Sequence, residues 1–245
     1  MALILLTNDD GYQALGLKVL EEGLQDLGEV WVVAPHKERS GASHSITLHQ
    51  PLRVIEQRPR FFSVSGTPVD CVMLAVHALL PKPPDVVISG INAGYNVGED
   101  VFYSGTVAGA REAALLGIPA LAVSVGNATS EETPETYEKA LPYIRQLLPI
   151  LLKAEAPALL NLNLPPGPAS AIRGLRVTRL GNRCYDNPVE RLGPETYVIA
   201  GEVRWTRTEG TDLEALSQGY ASVTPLDIDL TDDERLEDLR RSLSG

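Results

Sequence analysis

The chain has 245 residues, a formal net charge of −11, 44% apolar and 22% charged residues. That length suits one α/β domain with embellishments or two small domains, and the composition is that of a globular protein with a real core. Such a surface repels a long phosphate backbone and excludes polymeric nucleic acid as the default partner, whereas a small phosphorylated ligand stays compatible with a local cation or basic patch. No apolar run reaches the roughly 18 residues needed to span a membrane. The N-terminus has neither the basic flank nor the apolar length of a signal peptide, so the expected location is the cytoplasm. There Cys71 and Cys184, which have no metal-type spacing, are expected as reduced thiols, and the sequon Asn127-Ala128-Thr129 carries no meaning.

In chain order, residues 2–6 form a short buried strand, and leucines at 15, 17, 20, 24 and 27 follow helical period. Residues 29–33 are a second strand, and 52–55 with 61–64 pair as a hairpin. Residues 69–80 read as a buried helix stopped by "PKPP", which makes His77 structural, as His49 also is. Then come a strand at 85–89, an alanine- and glycine-rich helix at 104–116, a strand at 120–124, a helix at 134–152 and a strand at 158–162. This alternation predicts a mostly parallel sheet with helices on both faces. Beyond about residue 165 the pattern changes to β candidates at 175–180, 197–200 and 222–224. A helix follows at 231–243, acidic first and arginine-rich last, with Thr231 as its N-cap. This last third reads as an arm of hairpins and a helix that packs on the core, on a second subunit, or on both.

In an open parallel sheet, ligands bind beyond the carboxyl ends of the strands. The loops there are "NDDG" at 8–11, "APHKERSGASHSIT" at 34–47 and "GINAGYNVGEDVFYSGT" at 90–106, and they should converge on one rim. Two readings of Asp9 and Asp10 stand. Asp9 caps the following helix while Asp10 is solvated, or the two mutually repelling carboxylates hold a divalent cation. In the second reading Ser40 and Asn92 add neutral oxygens, and an all-oxygen set favours Mg²⁺, Mn²⁺ or Ca²⁺. Ser104 and Thr106 open a helix of small residues, either as an ordinary cap or as a phosphate cradle of hydroxyls and free N–H groups. His36, Lys37, Arg39 and His44 are either solvated or offset local negative charge, and His44 is the candidate proton donor to a leaving oxygen. The chain lacks a P-loop, a G-x-G-x-x-G turn and a G-x-S-x-G elbow, and "DVVIS" lacks the aspartate of a phospho-acceptor receiver.

The ordered motifs "ILLTNDDG", "VVAPHKERSGASHSIT", "SGTPVDCV", "VISGINAGYNVGEDVFYSGTVAGAREAALLGIPALAVS" and "GTDLEALSQGYASVTPL" resemble those of the SurE family, the stationary-phase survival nucleotidases. The resemblance implies a Rossmann-like α/β core over 1–180 and a C-terminal β-hairpin and helix extension over 181–245, used in homodimers or homotetramers. It implies a metal-dependent phosphatase on nucleoside monophosphates, 5′- and in part 3′-specific. One divalent ion per subunit would lie on Asp9, Asp10, Ser40 and Asn92, with Asp9 and Asp10 catalytic. Asn96, Ser104, Gly105 and Thr106 would line the phosphate site. Tyr95 departs from the family pattern, since many relatives carry proline there. Competing readings are a non-hydrolytic metal- and nucleotide-binding regulator, and a phosphatase acting on polyphosphate or another phosphomonoester.

Overall fold

The computed structural model describes residues 1–126, 132–154, 158–186, 189–199, 202–206 and 208–244; the sequon at 127–129 lies outside them, as does the side chain of Cys184. Cys71 is a buried free thiol.

The chain starts with β1 (Ala2–Thr7), α1 (Leu15–Leu24) and β2 (Gly28–Pro35). The expected hairpin forms from β3 (Val54–Arg58) and β4 (Phe61–Val64), paired antiparallel. A capping box between Thr67 and Asp70, with Pro68 in the first turn, starts α2 (Pro68–Leu74). The expected helix over 69–80 is regular only to Leu74 and then widens into a π turn over Ala75–Leu79. His77 lies on that turn and is exposed, and so is His49, so neither is built into the core.

After β5 (Val86–Ala93), α3 (Gly105–Leu115) and β6 (Ala120–Val125), the expected helix over 134–152 is two helices, α4 (Pro134–Glu138) and α5 (Leu141–Leu151). Pro142 explains the break: its ring would meet the Glu138 carbonyl and it has no N–H to donate, so it is tolerated only in the first turn of a new helix. β7 (Leu159–Leu164) and β8 (Leu175–Val177) follow. Two antiparallel strand pairs then follow, β9 (Asn182–Asp186) pairing β12 (Glu202–Thr206), and β10 (Val189–Arg191) pairing β11 (Tyr197–Ile199), so the chain runs out and back as a ribbon. The chain ends with α6 (Asp212–Ser217), β13 (Ala221–Leu226) and α7 (Asp233–Leu243). The cap of α7 is Asp232, one residue after the expected Thr231; its Oδ1 accepts the Arg235 N–H at 3.0 Å.

The main sheet has nine strands in the order β3-β4-β2-β1-β5-β6-β7-β13-β8. The strands β4, β2, β1, β5, β6 and β7 are parallel throughout, and β13 is inserted antiparallel to β7. The sheet therefore recruits one strand from beyond residue 181. Strand alternation divides the core. Ile4, Leu6, Val32, Ile88 and Val123 face α1 and α5, whereas Leu5, Val33, Val87 and Ala122 face α2 and α3. The chain moves one way from β1 to β2 and the other way from β1 to β5. The loops leaving β1 and β5 thus diverge at a topological switch point, where such sheets bind ligands.

Helix α1 lies close against the end of β5 because Gly16 has no side chain: a Cβ there would stand 2.1 Å from the Ile91 carbonyl oxygen. Gly16→Ala must push the helix off the strand. The expected destabilisation is about 1–3 kcal/mol, seen as a Tm lower by several degrees, with activity falling because the adjacent Asn92 moves too.

Candidate active site

The site begins in the turn after β1. Asn8 is buried, and its side chain closes the turn by donating to the Gly11 carbonyl at 2.9 Å and accepting the Gly11 N–H at 3.2 Å. Gly11 has φ of 101°, open to glycine and strained for other residues. This turn aims Asp9 and Asp10 at the rim. Asp9 is 5% exposed. Its Oδ1 accepts a short hydrogen bond from the Thr106 hydroxyl, and the N–H groups of Gly105 and Thr106 also bond to the carboxylate. Asp9 therefore caps a helix, but that helix is α3, ninety-odd residues on in sequence. The helix that follows Asp9 directly, α1, has Ala14 at its N-cap and no side-chain cap.

Gly105 makes the approach possible, since a Cβ on it would stand 2.8 Å from the Asp9 Oδ2. Ser104 is the N-cap of α3, its hydroxyl accepting the Val107 N–H at 3.0 Å. The N–H groups expected to cradle a phosphate are thus committed to Asp9 and Ser104. What stays open towards a ligand is the Ser104 hydroxyl hydrogen. Thr106 is fully buried and serves Asp9.

A cavity of about 600 Å³ opens beside this helix start, within the usual range for small-molecule sites. Asp9, Asp10, Ser40, Asn92, Asn96 and Ser104 all line it, so the three loops do converge. Glu38, Asp100 and Glu132 add three more carboxylates, and Tyr95, Tyr103 and Tyr137 form aromatic wall; among the described residues no lysine, arginine or histidine lines it. The basic residues of the 36–47 loop turn elsewhere. His36 stacks on Tyr12 with ring centroids 5.3 Å apart, and Arg39 bonds the Ser65 and Gly66 carbonyls at 2.6 and 3.2 Å. His44 Nε2 lies 2.7 Å from Glu112 Oε2, on the flank of α3, and is not brought to the cavity. Ser43 adds a hydroxyl donated to the Phe102 carbonyl at 2.5 Å, and Thr47 bonds Asp70. His36, Arg39 and His44 thus each have a nearer partner than the cavity, and Lys37 is exposed and does not line it.

The electrostatic result falls on Asp10. Burial, and then repulsion from Asp9, Glu132 and Glu38, pushes its pKa up to about 7, despite a hydrogen bond from the Ala93 backbone. Burial also raises the Asp9 pKa, against the opposing hydrogen bonds from Thr106 and Gly105. The two carboxylates, with Ser40 and Asn92 as neutral oxygens, form a hard-donor set suited to a divalent cation of the magnesium, manganese or calcium class. Ser40 Oγ donates to Glu38 at 2.7 Å and Asn92 Nδ2 donates to the Gly94 carbonyl at 2.9 Å, so the Asn92 Oδ1 is oriented away from that bond. Among the described residues no cluster of three or more His, Cys, Asp or Glu side chains is placed to hold a metal, so any such site needs the neutral oxygens.

Asn96 is held by residues that composition and motif reading pass over. Ser124, Asn161 and Asn163 bond its backbone and side chain from the sheet below. Their signal lies in "NLNLP": asparagines alternating with leucines in a strand that the topology buries on both faces.

Comparison with known proteins agrees with these features. The model of the family described as Survival protein SurE matches residues 4–187. A protein from Gemmatimonas aurantiaca named 5′-nucleotidase SurE is 48% identical over 235 residues, covering 93% of each chain. One of the same name from Syntrophotalea carbinolica is 46% identical over 98% of this chain and 96% of its own. The crystal structure of the Sure protein from Aquifex aeolicus superposes with a TM-score of 0.86 at 40% identity, covering 99% of this chain and 100% of that one.

The raised Asp10 pKa makes a stability prediction. Between the unfolded value of 3.8 and about 7 the folded metal-free protein holds the extra proton, so its stability falls as pH rises through that window. Thermal unfolding in chelator should show Tm declining from pH 5 to pH 8. Asp10→Asn should flatten that decline and raise Tm at pH 8, and a saturating divalent cation should do the same for the unmutated protein.

Proposed function

This chain belongs to the SurE family, and we infer on that premise that it is a 5′-nucleotidase, a phosphoric monoester hydrolase that cleaves nucleoside monophosphates to nucleoside and phosphate. The observation that carries the reading at this site is the cavity's charge: five carboxylates and, among the described residues, no cationic side chain lining it, at the N-terminus of α3. Such a pocket repels a phosphate dianion unless it first takes up a cation. Asp9, Asp10, Ser40 and Asn92 would hold one divalent ion per subunit. When bound, that ion neutralises the carboxylates and supplies Lewis-acid polarisation to a phosphoryl oxygen.

The chain's own groups do the rest. The Ser104 hydroxyl and the Asn96 amide line the cavity beside Asp9, where they donate to phosphoryl oxygens and hold them as negative charge builds. The positive end of α3, focused through Gly105 and Thr106 onto Asp9, opposes the effect of burial on that carboxylate and holds it in place. The Thr106 bond fixes the Asp9 carboxylate at the rim, where it serves the cation rather than phosphorus. Water is therefore the attacking group. Tyr95, Tyr103 and Tyr137 offer the apolar wall that a nucleoside needs.

Assembly belongs to the same proposal. The β10–β11 ribbon exposes Val189, Tyr197 and Ile199, the last at 87%, which is an apolar surface suited to a second copy in a homodimer or homotetramer. No helix of the described residues is long and apolar enough to cross a membrane, and cytoplasmic residence is the location we propose.

A phosphate-release assay with nucleoside monophosphates and Mn²⁺ tests the activity; a regulator without hydrolysis would release none. Asp9→Asn should lower kcat on the order of 10²–10³-fold and weaken cation binding in a direct titration. Near-normal turnover by this variant would sink the assignment. Hydrolysis of a monoester made chiral at phosphorus with oxygen isotopes should invert the configuration, as one direct attack by water does, whereas net retention would mark two displacements through a phosphoaspartyl intermediate.

A further inference from the structure

We propose that Asn161 and Asn163 of β7, with Ser124 of β6, are positioning residues that set the orientation of Asn96 in the cavity, an inference that rests on the phosphate-binding reading of Asn96. The geometry is that of a clamp. The Asn96 N–H donates to Asn163 Oδ1 at 2.9 Å. The Asn96 carbonyl accepts from Asn161 Nδ2 at 2.8 Å and from Asn163 Nδ2 at 3.0 Å. The Asn96 side chain reaches Ser124 Oγ at 2.7 Å. Both peptide groups flanking the Asn96 Cα are thereby pinned, and the side chain has a third anchor, so the amide has one direction to point.

Sheet register explains how three residues meet one. Asn161 and Asn163 lie two apart in β7 and share a face, and Ser124 is directly opposite Asn163 on β6. On the other side Ser222 is opposite Asn163 and Thr224 is opposite Asn161 in β13. The hydroxyls of Ser222 and Thr224 bond Thr178 at 2.9 and 2.7 Å. Ser124, Asn161, Asn163 and Ser222 are each 0% exposed, so a polar stripe crosses three strands inside the core. Leu162 and Leu164, on the opposite face of β7, pack as ordinary core residues.

A stripe of this kind is poor packing material. Asn161 shows it most clearly, because its buried Oδ1 has no partner among the described residues. If Asn161 served folding alone, leucine would serve better, since it keeps the same branched skeleton of heavy atoms and removes an unpaired acceptor. What leucine cannot do is donate to the Asn96 carbonyl. The unfavourable acceptor is tolerated for the donor that accompanies it.

The test separates positioning from folding. Asn161→Leu and Ser124→Ala are compared with Asn96→Ala and the unmutated protein for kcat, KM, inhibition by inorganic phosphate, Mn²⁺ affinity and Tm. The expected result for Asn161→Leu is unchanged or higher Tm, unchanged Mn²⁺ affinity, and phosphate inhibition weakened roughly tenfold or more, with kcat falling by up to about a hundredfold. Ser124→Ala, which leaves almost no cavity, should weaken phosphate inhibition several-fold at unchanged Tm. It decides the matter if the leucine variant loses stability. If both variants inhibit like the unmutated protein while Asn96→Ala does not, the clamp is only structural and the proposal fails. If Asn96→Ala itself leaves phosphate inhibition unchanged, the phosphate reading of Asn96 fails first, and the clamp with it.

Discussion

The contact between Asp9 and the first turn of α3 organises this site. It joins the end of β1 to a helix almost a hundred residues away in sequence. It does so through a hydroxyl, two backbone N–H groups and a glycine that leaves room for the carboxylate. Helix N-termini favour anions, and here the chain supplies its own. One member of the acidic pair is thereby compensated inside the protein. The other, Asp10, receives one backbone donor and is repelled by Asp9 and by two further carboxylates, Glu132 and Glu38. The division of labour follows: Asp9 is fixed in place by the fold, and Asp10 carries the unmet demand for positive charge.

The same economy explains the loop bearing Ser40. Arg39 and His44 hold it down rather than serve the cavity. Arg39 binds two carbonyls beyond β4, His44 pairs Glu112, and the Arg39 N–H closes on the Asp9 carbonyl at 2.7 Å. Spending the loop's positive charge on anchoring leaves the pocket anionic. On the opposite flank Asp212, fully buried, accepts the N–H groups of Gly98, Gly181 and Leu213. One carboxylate thus fastens the loop after β5 to the root of the ribbon and to α6, so the C-terminal segment is part of the wall that shapes the site.

Much of this was legible in the sequence because the signals are local. Apolar runs bounded by glycine and proline mark the parallel strands, and Asp9, Asp10, Ser40, Asn92 and Ser104 fall at their carboxyl ends, where the sheet's geometry must bring them together. The misreadings share a different cause. Pro142 divides a helix whose leucine periodicity runs through the break, since burial pattern and backbone continuity are separate properties. Periodicity likewise hides His77, which sits where the helix widens. The capping partner of Asp9 is invisible because the contact spans the whole β1-to-α3 separation, and local logic offers only α1. Histidine and arginine in the 36–47 loop suggest a charged pocket, but whether a cation faces a ligand or a nearer carbonyl is decided by three-dimensional neighbours. The polar stripe under Asn96 requires the strand order, which places β13 beside β7 only through a reversal of direction.

These elements carry one electrostatic consequence. A cavity whose walls are acidic, in a chain of net charge −11, has no long-range attraction for an anionic substrate. Recognition must then be short-ranged and conditional. On the proposed function, cation uptake by Asp9, Asp10, Ser40 and Asn92 would turn a repulsive pocket into a receptive one over a short distance, while the surrounding surface stays negative. A small monoester fits that pattern of charge, because only its phosphoryl group need enter the inverted field. A polyanion would have to lay its remaining charges along an acidic surface, where Glu38 and Glu132 already line the mouth. Selectivity for a compact phosphate over a polymer is in this way a property of how narrowly the positive charge is confined.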